Sequence, residues 1–141
     1  MSIKEFLLSI RRKESQIEIM QRELERMESM AQYRGSVIDE IGGARGTSDP
    51  HSRESLVARM CDLRSELDRS VEEVVRMREK GLEMVKSLKE GNMMRVFYMR
   101  YFEHMKWEDI AEMLGVSRQW VTELHGRGLV ELGKRFGEDV A

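Results

Sequence analysis

Arg118 and Gln119 are the two side chains in this sequence whose type and placement point most directly to chemistry. They follow Ser117 inside the stretch 107–132, WEDIAEMLGVSRQWVTELHGRGLVEL. Ser117 is a good helix N-cap, because its hydroxyl can accept from the free N–H groups of the turn that follows. Arg118 and Gln119 then fall in the first turn of a helix, off its apolar stripe. A helix that reads DNA sets the side chains of its first turn against base edges in the major groove. The chemistry implied is hydrogen bonding to bases, not bond making.

Other candidates for chemistry are weaker. His51, His104 and His125 pair with no other His, Cys or carboxylate at a metal-ligand spacing. Cys61 has no histidine near it in sequence and is expected to be an inert, half-buried thiol on a helix. No serine stands in a nucleophile-elbow context. The many carboxylate pairs at helical spacing read as solvated faces and i,i+4 ion-pair partners. Gly35, Gly42, Gly43 and Gly46 lack the Gly-Lys-Ser/Thr ending of a phosphate-binding loop. The chain is therefore expected to be no enzyme, with no cofactor, no catalytic residue and no metal site.

The elements that must position Arg118 and Gln119 are two short helices and a tight turn. Ile110, Ala111 and Leu114 share one helical face, and Gly115 follows where that helix must stop. Val116 is an apolar plug between the helices. Val121, Leu124, Gly128 and Leu129 form the stripe of the second helix. Ala111 and Gly128 are small, as close helix crossings require. A third helix is expected at 93–102, capped by Asn92, with Met94, Phe97, Tyr98, Tyr101 and Phe102 on one face. That face reads as the core of a small helical domain rather than a stacking surface. Trp107 opens the next helix.

Upstream, residues 2–33 read as one long helix, with Ile3, Leu7, Ile10, Ile17, Met20, Leu24, Met27 and Ala31 at spacings of 3 and 4. One seam position is missed near Lys13 and Glu14. Residues 34–49 break the pattern as a Gly-rich connection. A second long helix is expected to begin near Asp49 or Ser52, with Asp49 as its cap and Pro50 at the first helical position, and to end at Gly91, its seam carrying Leu56, Met60, Leu63, Leu67, Val71, Val74, Met77, Gly81, Met84 and Leu88. Two striped helices joined by a loop fold back as an antiparallel hairpin. The expected fold is all-α: a long antiparallel, coiled-coil-like hairpin over 1–90, then a small helix-turn-helix domain over 91–141. The hairpin seams are narrow, and a second copy burying them would make a homodimer.

Composition bounds the partners. Charged residues make up 35% of the 141, which suits long solvated helices. A single cysteine excludes an intramolecular disulfide, and no apolar run is long enough to span a membrane. The expected setting is cytoplasmic. Residues 91–141 hold seven Lys/Arg and eight Asp/Glu. A single copy would make few phosphate contacts, so tight DNA binding needs a second copy or a protein partner.

The segment Arg95–Leu132 resembles region four of bacterial sigma factors. The whole chain resembles the ArpU-type sigma-like regulators of phages and prophages more closely still. The residues carrying that resemblance are Arg100-Tyr101, Trp107, Ile110-Ala111, Leu114-Gly115, Ser117, Val121, Leu124-His125-Gly126-Arg127, Leu129 and Leu132. The resemblance implies a transcriptional regulator that binds double-stranded DNA and acts with RNA polymerase. It implies that Ser117, Arg118, Gln119 and Trp120 occupy the base-facing turn, with Thr122 and Glu123 next on the exposed face. His125 and Arg127 would lie nearer the phosphate backbone. A primary sigma factor usually has Arg-Glu-Arg at 118–120 and Arg at 122, so two cations are missing here. That fits a different target, with Arg118 on guanine and Gln119 on adenine. No counterpart of the promoter-melting region of sigma factors is evident. Two other readings suit the same elements: a small terminase-like packaging subunit, and a polymerase-binding adaptor with a degenerate helix-turn-helix.

Overall fold

The computed structural model describes residues 1–40 and 50–137, with side chains described over 1–33 and 54–137. Among the described residues five helices follow in order: α1 Ile3–Glu40, α2 Pro50–Lys86, α3 Gly91–Tyr101, α4 Trp107–Leu114 and α5 Arg118–Phe136. The fold is all-α, as the 3/4 periodicity requires. Among the described residues no helix is long and apolar enough to cross a membrane.

α1 starts with a capping box that is legible as S-x-x-E. The Ser2 backbone N–H donates to Glu5 Oε2 at 2.7 Å, and the Glu5 N–H donates to Ser2 Oγ at 3.2 Å. The Ser2 N–H holds the Glu5 carboxyl below its ordinary range, helped by the Ser2 hydroxyl. α1 does not end at residue 33; it continues through Gly35 to Glu40. One glycine in a long helix costs about 1 kcal/mol, too little to end it. Residues 41–49, with the proposed Asp49 cap, lie outside the described residues, and Pro50 is the first residue of α2.

α1 and α2 pair antiparallel. Glu14 meets Arg78, and Glu28 meets Arg64 at 2.8 Å. The missed seam position is thus Glu14, whose carboxylate is held by an arginine rather than buried against apolar groups.

Packing divides the chain into two compact units: residues 1–14 with 74–141, and residues 15–73. The first unit takes in residues 91–141 together with parts of α1 and α2. Its core takes Ile3, Phe6, Leu7 and Ile10 from α1 and Val74, Met84, Val85 and Leu88 from α2. α3 adds Met93, Val96, Phe97 and Tyr101; α4 adds Ile110 and Ala111; α5 adds Val121, Leu124 and Leu132. Gly81 fills its seam position because a Cβ there would lie 2.8 Å from Ile10 Cδ1 and 3.0 Å from Phe102 Cζ.

The second unit is a two-helix seam. Ile17, Leu24, Leu56 and Ser70 are buried in it, while Met20, Met27, Met60, Leu63 and Leu67 are half-buried. Val71, expected on the seam, is exposed, and so is Cys61, expected to be half-buried. At about 100° per residue Val71 sits roughly 40–80° from Leu67 and Leu63, and Cys61 roughly 120–160° from them, so both fall off the seam.

Candidate nucleic-acid interface

Local sequence builds the turn between α4 and α5 without help from the rest of the chain. Gly115 adopts the left-handed conformation at φ 66°, the residue after α4 where an L side chain would be strained. Its N–H and that of Val116 donate back to Glu112 and Ala111, closing a Schellman-type stop. Ser117 then caps α5 as expected, its Oγ accepting from the Trp120 N–H at 3.1 Å. The cap fixes the direction in which the first turn of α5 points.

α3 braces the pair from behind. Gly128 is buried against it: a Cβ there would overlap the edge of the Phe97 ring and stand 3.2 Å from Met93 Cγ. The close crossing foreseen at Gly128 is therefore between α5 and α3. α3 itself starts at Gly91, capped by the backbone of Glu90 rather than by Asn92, and its core face is Met93, Val96, Phe97 and Tyr101. Tyr98, expected in that core, is exposed and stacks on Phe102.

The exposed face of α5 carries Gln119, Thr122, Glu123, Gly126 and Arg127, a run at spacings of 3 and 4. Arg118 lies at its edge, 62% exposed, with its guanidinium 3.0 Å from Glu108 of α4. Thr122 Oγ1 donates to the Gln119 carbonyl at 2.9 Å. Glu123 and Arg127 form an i,i+4 pair at 2.8 Å, and the Arg127 guanidinium also lies 5.4 Å from the half-buried Trp120 ring. Gly126 has open space where a Cβ would be. Seven of the eight residues expected at the interface thus lie on or beside one surface.

His125 does not. It is 8% exposed, and its Nε2 lies 2.6 Å from the Tyr101 hydroxyl oxygen. Phe97 stacks on the imidazole at 5.0 Å and Trp107 meets it edge-on at 4.9 Å. His125 lies with Val121, Leu124, Gly128 and Leu132 on the buried face of α5. Burial pushes its pKa down to about 4, with the charges of Lys4 and Arg100 adding to the effect. Burial likewise raises Tyr101 to about 12, against a smaller opposing pull from Arg100. The neutral imidazole therefore accepts from the phenol, and the pair is a satisfied core contact rather than a phosphate ligand.

Two further groups were not foreseen from sequence. Arg100 lies 4.4 Å from the Trp107 ring centroid and donates to the Met105 carbonyl at 3.0 Å, tying α3 to the start of α4. Glu14 of α1 receives both Arg78 and His104, whose Nε2 is 2.8 Å away. His104 sits in the α3–α4 turn at φ 58°, so a left-handed residue of the small domain is pinned by the first helix.

Residues 90–134 match the family model for Sigma-70, region 4. The match begins at the Glu90 cap of α3 and ends in the last turns of α5, so it covers the three-helix arrangement just described. These residues are therefore similar to a sigma region-four helix-turn-helix domain, a resemblance that points to a DNA-binding, transcription-regulatory type of fold. No curated protein and no solved structure matches the chain.

Proposed function

We propose that the chain is a sequence-specific transcriptional regulator of the ArpU type, acting on phage or prophage genes. In this reading α5 enters the major groove, with Arg118 and Gln119 on base edges and Ser117, Trp120, Thr122, Glu123 and Arg127 around them. The observation that carries it is the first turn of α5. That turn is rigidly capped at Ser117, solvent-exposed, and furnished with a side-chain fork and an amide suited to guanine and adenine. Exposed Gly126 allows a nucleic-acid backbone to approach the same face. The hairpin is read as the dimerising or polymerase-contacting part, because one copy of this near-neutral domain has few free cations for phosphates.

The test is a binding selection from random-sequence DNA with the full chain. A single enriched site is the expected result. Arg118→Ala should then weaken binding to that site about tenfold to hundredfold, the weight of one bidentate base contact. Far-UV circular dichroism should not change. Equal affinity of the variant and parent for the enriched site would remove Arg118 from the readout.

A second reading has its own support. Glu108 neutralises Arg118 and Glu123 neutralises Arg127, so the face is internally paired. A domain of that kind can serve as a polymerase-binding adaptor. Absence of any DNA binding at low salt, with retention on RNA polymerase, would favour the adaptor.

A further inference from the structure

α2 carries a second stripe besides the one that packs on α1. Val57, Cys61, Arg64, Asp68 and Val71 are all exposed and recur at spacings of 4, 3, 4 and 3. Along the same helix the next position of the stripe is Val75. Val57 is 52% and Val71 39% exposed, so apolar side chains of this stripe are left in water by the chain's own fold. The stripe stands about a quarter turn from the hairpin seam, where a helix of a four-helix bundle meets its second neighbour.

The order of residue types along this stripe is palindromic. Valine stands at both ends, Cys61 and Val71 come next, and Arg64 and Asp68 flank the centre at residue 66. An interface with a two-fold axis brings residue i against j and j against i. With the axis across α2 at residue 66, Arg64 of each copy faces Asp68 of the other. Cys61 then faces Val71, and Val57 faces Val75. Every contact is apolar on apolar or cation on anion. Glu66 and Asp62 point away from the axis by helical periodicity.

The pairing states agree with this register. Asp68 makes no ion pair among the described residues. Arg64 uses one terminal nitrogen on Glu28 at 2.8 Å, and its side chain remains 57% exposed. A guanidinium has five N–H donors, so Arg64 can hold Glu28 and a second carboxylate together. A parallel pairing would instead set Arg64 on Arg64 and Asp68 on Asp68, which repel.

We infer that two copies of the chain associate through antiparallel α2 helices about a two-fold axis at residue 66, with reciprocal Arg64–Asp68 pairs between Val57, Cys61 and Val71. This rests on the dimeric part of the proposed function and assigns its surface and symmetry.

The single cysteine provides the test. In this register Cys61 of one copy lies about 15 Å along the helix from Cys61 of the other, ten residues at 1.5 Å each. The parent protein should sediment as a dimer at micromolar concentration and form no disulfide with copper–phenanthroline. Val71→Cys should convert to a covalent dimer that dithiothreitol reverses. Asp68→Arg should raise the dimer dissociation constant by about tenfold or more, through like charges set face to face. The exchange of both charges, Arg64→Asp with Asp68→Arg, should restore it to within about threefold, since the exposed Glu28–Arg64 bridge carries little weight. Linking of the parent through Cys61 alone would overturn the antiparallel register. So would a dimer in which Val71→Cys does not link, although the dimeric reading itself would then survive. A monomer would overturn both.

Discussion

The unit formed by residues 1–14 and 74–141 and the hairpin unit of residues 15–73 are made of the same charged, amphipathic helices, yet they bury their stripes differently. In the first, the core draws on all five helices, and Phe97, Tyr101, Ile110, Leu124 and Leu132 are almost wholly out of water. In the second, two helices meet along one line, and among the described residues only a few side chains are fully covered. The difference follows from neighbour number. A helix touching several others can bury a wide face, whereas a helix touching one buries a narrow seam and leaves its flanks wet. The first unit is thus equipped to hold a precise surface, the exposed face of α5. The second is left with apolar side chains that a further copy can cover.

Substitution in the two cores is the sharpest way to break this comparison. Phe97→Ala should cost about 3–5 kcal/mol, because the ring packs on Tyr101 and His125 and fills the space opposite Gly128. Leu24→Ala, at the thin seam, should cost nearer about 2 kcal/mol, since one side of the site can relax toward solvent. Urea unfolding of the full chain checks both. Trp107 and Trp120 lie in the first unit, so tryptophan fluorescence follows that unit while circular dichroism follows all helices. Equal costs at the two positions would mean that the seam is better covered than the single chain makes it.

Acid separates the units next. His125 titrates near 6.5 when unfolded and at about 4 when folded. Above pH 6.5 it is neutral in both states and its contribution is fully present. As pH falls toward 4 the unfolded chain takes up the proton first, and about 3 kcal/mol of stability is lost. The fluorescence-detected transition should therefore weaken over that window. Replacing the pair together, Tyr101→Phe with His125→Phe, should flatten the dependence. An unchanged slope in that variant would move the acid sensitivity elsewhere.

Two smaller effects complete the series. Ser117→Ala should cost about 1 kcal/mol, the weight of one N-cap hydrogen bond, read as a shift of the fluorescence midpoint. Glu28→Gln, in the hairpin unit, should change stability by about 0.5 kcal/mol or less, because the bridge to Arg64 is exposed on both sides. A larger loss at Glu28 would mean that the bridge is buried by something outside the chain.

Much of the helix-turn-helix was legible because its signals are local. Gly115 must stop α4, Ser117 must cap α5, and Ile110, Ala111, Val121, Leu124 and Gly128 repeat with the period of a helix, whatever surrounds them. The same holds for the hairpin seam and for Gly81 on it. Helix ends were less legible: α1 runs past Gly35, because continued hydrogen bonding outweighs one residue's preference, and α2 stops at Lys86, short of Gly91, where the Ser87 hydroxyl donates to the Met84 carbonyl.

Tertiary structure alone decided which charged and polar groups are free. His125 has the type of a phosphate ligand, but Tyr101, Phe97 and Trp107 converge on it from α3 and α4 and make it a core residue. Arg118 has the type of a base reader, and its Glu108 partner lies ten positions away on another helix. Glu14 interrupts an apolar stripe in sequence and becomes, in space, the anchor of Arg78 and His104. Periodicity assigns a side chain to a face of its own helix. What stands across from that face, and therefore whether a charge is paired or an imidazole is dry, is set by contacts between residues far apart in the chain.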